Sequence, residues 1–373
     1  MQTKQYPFYI KATVILFGLI LTVYAFSVMR SILLPLAFSL MIAILLNPLY
    51  NWLLKHKLPK IVAISITLLI ALVVLSGVLF FLSTQMMRFG DSIPQFKHRL
   101  DQIMGDTKIY LQQHFGITSN KQSKLLNEGL QKGQALLTQS LGSALGTVSL
   151  AFLIPVYVFL ILFYKTLIIN FLYEAFAEEN SRKVGEILDQ MKSAIQSYMV
   201  GLLLEAVVVA VMNSVALLLL GVDYAILLGV VGAILNMLPY IGGIVAIALP
   251  ILIATATKDG YGTQLGILAA YSVIQFIDNN ILVPRIVSSK VQINALFSVL
   301  IVLLGGTLWG VGGMFLSIPF IAILKIIFDR INELKPWGKI LGDEIPTRHK
   351  GQIWNRRKKK PAVSEELVEK SGQ

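Results

Sequence analysis

The chain has 373 residues, 55% of them hydrophobic and only 14% charged, and its mean hydropathy is +0.72. Soluble domains carry about 25% charged residues, so one aqueous core cannot absorb this much apolar surface and a bilayer must act as solvent. Cysteine is absent, which excludes disulfides, thiolate metal sites and cysteine nucleophiles.

The four histidines, His56, His98, His114 and His349, all lie outside the apolar runs. That placement argues against a buried histidine metal site or proton relay. No metal site and no cofactor is expected. The net charge of +12 gathers in short loops and a tail beside the spans. The positive-inside bias accounts for it without a nucleic-acid partner.

The first apolar run, Ile10–Met29, is long enough to span and lacks a small-residue cleavage site. It reads as an uncleaved transmembrane helix, not a signal peptide. Further spans are expected at Ile32–Leu54, Ile61–Ser83, Gly146–Tyr164, Met199–Leu220 and Thr263–Val283. Two stretches of about 35 residues, Tyr224–Thr257 and Asn294–Phe328, are too long for one span and are broken by glycine or proline. Each is expected to be a hairpin of two short helices.

The fold class is therefore an all-α polytopic membrane protein of six full spans and two Gly/Pro-broken hairpins, re-entrant or full. The expected organisation is an N-terminal three-helix unit (1–84), an outer helical insertion (85–145), a transport core (146–328) and a basic tail (329–373), largely disordered after 350. Lys55, Lys57 and Lys60 follow the second span, Lys165, Arg182 and Lys183 the fourth, and Arg356 to Lys360 sit in the tail. The positive-inside rule makes all three cytoplasmic. Counting crossings then puts both termini inside and Thr84 to Leu145 outside.

In the outer insertion, Ile93, Phe96, Leu100 and Ile103 recur at helical spacing behind Ser92, and Leu126, Leu130, Leu137 and Leu141 form a second stripe. These amphipathic helices fit a cap on the membrane or a contact surface for a homo-oligomer. The basic run of the tail is expected on anionic headgroups.

Three features carry chemistry. Glu205 lies in a Leu-Leu-Leu-Glu-Ala-Val context within a span, where a carboxylate costs roughly 3 kcal/mol on insertion scales and faces protein or water. Tyr198 and Gly201 share nearly the same helical face, with Asn213 somewhat rotated. Asp278, Asn279 and Asn280 form a second constellation before Pro284 and Arg285, and Tyr271, Gln275 and Asp278 share a face. Asp278 could instead simply pair with Arg285. Glu205 and Asp278 fall at similar depth and can converge.

The third feature is the hairpin breaks. One runs from Asn236 through Pro239, Tyr240, Gly242 and Gly243; the other passes Gly305, Gly306, Gly310, Gly312 and Gly313. Opened backbone survives in a bilayer only where protein or water meets it; the alternative is tight helix packing through small residues. Asp223 leads to Gly242-Gly243 and Pro250 much as Asn294 leads to Gly312-Gly313 and Pro319. That spacing fits an inverted-topology repeat (199–257 and 263–328), with binding where the breaks meet near the midplane. No His-Glu-x-x-His or Gly-x-Ser-x-Gly motif is present, so an enzyme is not expected.

In combination, Pro239-Tyr240-Ile241-Gly242-Gly243, Asp278-Asn279 with Pro284, and Leu303-Leu304-Gly305-Gly306 through Gly310, Gly313 and Ile318-Pro319 resemble the AI-2E family of bacterial transporters, the TqsA/PerM-like permeases. The resemblance covers nearly the whole chain. It implies a permease of the bacterial cytoplasmic (inner) membrane that moves a small polar solute. The family's founding assignment is export of the signal autoinducer-2, and other members are described as sodium(lithium)/proton antiporters. Two positions depart from the family pattern. Gly243 stands where a proline is common, and Asn294-Ala295 replaces a common His-Pro pair.

Overall fold

The computed structural model describes residues 7–90, 105, 144–175, 181–238, 242–258, 260–287 and 293–343. Most of the outer insertion and the basic tail lie outside them, as do Pro239 and Tyr240. All regular structure among the described residues is helical: α1 (Phe8–Val28), α2 (Arg30–Lys55), α3 (Lys60–Gly90), α4 (Ala144–Ala175), α5 (Ser181–Leu219), α6 (Ala225–Asn236), α7 (Gly242–Thr257), α8 (Gly262–Ile277), a π-helix (Asp278–Val287), α9 (Ala295–Arg330) and α10 (Lys335–Leu341). Seven of these segments are long and apolar enough to cross a membrane. Their outward faces are greasy; Val73, Phe80, Phe152 and Leu219 are all exposed, as lipid-facing side chains are.

The expected turn between the first two spans is a bend. Met29 alone separates α1 from α2, with φ −84° and ψ 14°. Helical bonds run up to it and away from it, Met29 N–H to Ala25 O and Leu33 N–H to Met29 O. A single residue with right-handed torsions cannot reverse a chain; helix–helix reversals use loops of about 2–8 residues. The bend also takes the Arg30 N–H away from the Phe26 carbonyl, which accepts instead from Trp309 Nε1 at 2.9 Å.

Both over-long stretches are hairpins. In the first, a Cβ on Gly232 would lie 3.5 Å from Ala246, and one on Gly242 would strike the Leu235 carbonyl. The arms thus run antiparallel. α6 has 12 residues and α7 has 16, so α6 rises only about 18 Å against a hydrocarbon core of about 30 Å. Both arms are shorter than the seven span-length helices.

In the second, the Ser317 hydroxyl donates to Ile301 O at 2.9 Å, and Gly305 abuts Gly313 backbone to backbone. Both pairs centre on residue 309. The reversal is made at Gly310, with φ 64° and ψ −145°, a region essentially closed to side-chain-bearing residues. Asn294 caps its base: Oδ1 accepts from Phe297 N–H at 3.0 Å, and Nδ2 donates to Ile340 O at 2.6 Å and Gly342 O at 3.2 Å. Asn294 thus ties α10 across the foot of the hairpin.

Three apolar clusters join these pieces. Ala43, Tyr50, Ala63, Ile64, Val158 and Leu162 bind α2, α3 and α4. Met41, Ile195, Tyr198, Leu202 and Leu316 fasten α2 to α5 and α9. Leu217, Leu228, Ala246, Ile253, Ile267 and Tyr271 hold the first hairpin between α5 and α8. Close approach there depends on small residues, with Gly229 against Ser214.

Candidate functional site

The tip of the first hairpin lies against two carboxyl groups. α5 presents Glu205, 6% exposed, and the π-helix begins with Asp278, 2% exposed. Asn236, the last residue of α6, donates from Nδ2 to Asp278 Oδ2 at 2.8 Å. Gln275 Nε2 sits farther off, 3.5 Å from Asp278 Oδ2 and 3.4 Å from Asn279 Oδ1. The Glu205 and Asp278 carboxyls line one cavity. Two bare carboxylates sharing a low-dielectric cavity repel. No ion pair joins Asp278 to Arg285 among the described residues.

A cavity of about 730 Å³ opens beside this pair. Tyr198 and Glu205 of α5, Asn236, Met237 and Gly243 of the first hairpin, Gln275 of α8, Asp278 and Asn279 of the π-helix, and Ser298 and Ile318 of the second hairpin line it. The switch from α- to π-helix falls at Asp278 itself. Widening the turn there re-aims Asp278 and Asn279, and π-segments inside helices are frequent at functional sites.

The other expected residues fall elsewhere. Asn213 is buried one side of the pair and lines a smaller void. Asn280 is exposed and donates back to Phe276 O at 2.8 Å, and Pro284 is exposed on the π-helix; neither lines the cavity. Gly242 permits close packing of the hairpin arms. Gly305 and Gly313 pack the arms of the second hairpin, Gly306 packs on Met314, and Gly312 packs on Leu34 and Phe38 of α2.

The second break therefore serves helix packing. Its tip docks on the α1–α2 bend, with Trp309 at Phe26 and Gly310 beside the Arg30 guanidinium. Among the described residues, none from 305 to 314 lines the cavity.

Sequence reasoning missed Ser298 and Ile318, whose only signal was position near the foot of a broken segment. It also missed a second polar contact, Lys165 Nζ donating to Asn47 Oδ1 at 2.8 Å. A buried asparagine ahead of Pro48 in an apolar run was the available clue.

Opened backbone beside a polar cavity, walled by apolar spans, is how a bilayer protein accommodates a solute. The class defined is a multi-pass membrane transporter. Residues 15–333 match the profile described as AI-2E family transporter, and the chain belongs to that family. It is 26% identical over 324 residues to the AI-2 transport protein TqsA of Escherichia coli strain K12, covering 86% of this chain and 92% of that one. The Putative transport protein YrrI of Bacillus subtilis strain 168 is 23% identical over 311 residues, covering 80% and 86%. The Putative permease PerM of Escherichia coli strain K12 is 28% identical over 216 residues, covering 57% and 61%.

Proposed function

We infer that the protein carries a small polar solute through the cavity at the tip of the first hairpin, in the bacterial inner membrane. An autoinducer-2-like signal moving outward is the leading candidate, since the relative TqsA is named an AI-2 transport protein. The observation that carries this reading is the polar lining brought together by three separate elements: Glu205, Asn236 and Asp278. With the Lys55–Lys60 loop cytoplasmic, Glu205 lies about 9 Å inside the inner boundary and the cavity opens toward the cytoplasm, the side from which an exporter loads. The C-terminus is then cytoplasmic too.

The test is autoinducer-2 efflux from loaded proteoliposomes and inverted vesicles. Asp278→Asn and Asn236→Ala are expected to cut flux at least tenfold while the protein remains folded. Full flux from both variants would sink the assignment of this cavity.

One observation favours a second reading. Two carboxyl groups lining one cavity are suited to exchanging sodium or lithium for a proton. Sodium pulses on acid-loaded vesicles would then drive proton movement that disappears in Glu205→Gln; unchanged movement removes Glu205 as the exchanger. A scaffold role through the outer helices predicts the opposite pattern, with function lost on deleting Gln85–Ser143 and indifferent to Asp278→Asn.

A further inference from the structure

A second, smaller void of about 10 Å³ also borders Asp278, between α5, α8 and the first hairpin, lined by Asn213, Asn236, Tyr271, Gln275 and Asp278 among apolar neighbours. Asn213 Oδ1, the Tyr271 hydroxyl and Asp278 Oδ1 are all buried, and none has a hydrogen-bond partner. The three residues are 2%, 4% and 2% exposed. A Cβ placed on Gly232 would lie 3.4 Å from Asn213 Nδ2 and 3.7 Å from the Tyr271 hydroxyl, so these side chains converge under the hairpin. Leaving such atoms unpaired is costly, and buried polar groups are almost always satisfied.

We propose that this void is a binding site for one ordered water, which ties Asp278 to α5 and α8. The volume matches the roughly 10–15 Å³ that a single water requires. The donor and acceptor count matches as well. The water donates to Asn213 Oδ1 and to Asp278 Oδ1 and accepts from the Tyr271 hydroxyl, giving about the three bonds typical of buried water. A bare monovalent cation fits less well, because three oxygens, one from a carboxylate, do not replace a hydration shell.

Asp278 is then held from two sides, by Asn236 through Oδ2 and by the water through Oδ1. The water also gives the carboxyl a proton-exchange partner. The titratable groups around it are Tyr198 and Glu205 on α5 and Tyr271 on α8; the described part of the first hairpin contributes the neutral Asn236. This site goes beyond the transport reading and does not depend on which solute the cavity takes.

The experiment is structure determination of the full chain in lipid nanodiscs, at a resolution that shows ordered waters, in sodium and in choline buffers. One density about 2.7–3.0 Å from all three oxygens, present in both buffers, is expected. An empty void with Asp278 Oδ1 bonded directly to Glu205 would overturn the proposal, as would density seen only with sodium. Infrared difference spectroscopy provides the second arm. The Asp278 carboxyl band, assigned by its loss in Asp278→Asn, is expected to shift in the nearly isosteric Tyr271→Phe; an unmoved band counts against the bridge.

Discussion

The contact between Asn236 and Asp278 is the sharpest place to test how the tip of the first hairpin is held. Its 2.8 Å length is that of a well-formed bond, and the acceptor is a carboxyl group that is 2% exposed. Interhelical hydrogen bonds in bilayers average about 0.6 kcal/mol in double-mutant cycles and reach about 1.7, while bonds to charged groups are worth about 1.5–3 kcal/mol. Burial and a carboxyl acceptor place this one at the upper end, at about 1.5 kcal/mol or more, a factor of at least ten in an equilibrium constant. The perturbation is Asn236→Ala, Asp278→Ala and the double variant, with reversible unfolding followed in mixed micelles.

The single substitutions are expected to cost more in sum than the double one, by that coupling energy. Additivity within about 0.5 kcal/mol, the behaviour of independent sites, would refute the contact. Through the proposed water, Tyr271→Phe is expected to couple to Asp278→Ala and not to Asn236→Ala.

Two further perturbations probe the frame around the site. Gly313→Val drives a branched side chain into the Gly305 backbone and is expected to destabilise by about 1–3 kcal/mol or more, whereas Gly77→Val, where a Cβ meets nothing within 4 Å, is expected to be silent in thermal stability assays. Trp309→Phe keeps an aromatic ring against Phe26 but removes the donor to its carbonyl; a loss of about 0.5–1.5 kcal/mol is expected, and proline-scanning at Met29 should show whether the bend depends on it.

Much of this molecule follows from composition and periodicity. A chain with 55% hydrophobic residues and long uncharged runs has to satisfy its backbone internally in a bilayer, which leaves helices as the solution adopted here. Length together with the glycine and proline breaks identified the two hairpins, because stretches of about 35 residues are too long for one span. Lone carboxylates in apolar runs marked Glu205 and Asp278, since burial without a purpose is costly.

Tertiary structure decided the rest. Glycine permits both a broken helix and a tight crossing, so sequence could not distinguish Gly243, which lines the cavity, from Gly305 and Gly313, which pack two arms together. Nor could it see that Met29 bends the chain, because the flanking residues are all competent helix formers and Trp309 bonds the carbonyl of Phe26 beside the bend from 283 positions away. The pairing of Asn236 with Asp278, and the unpaired oxygens of Asn213 and Tyr271 behind it, depend on how α6 seats between α5 and α8. Contact between distant segments is a property of packing, and no local pattern encodes it.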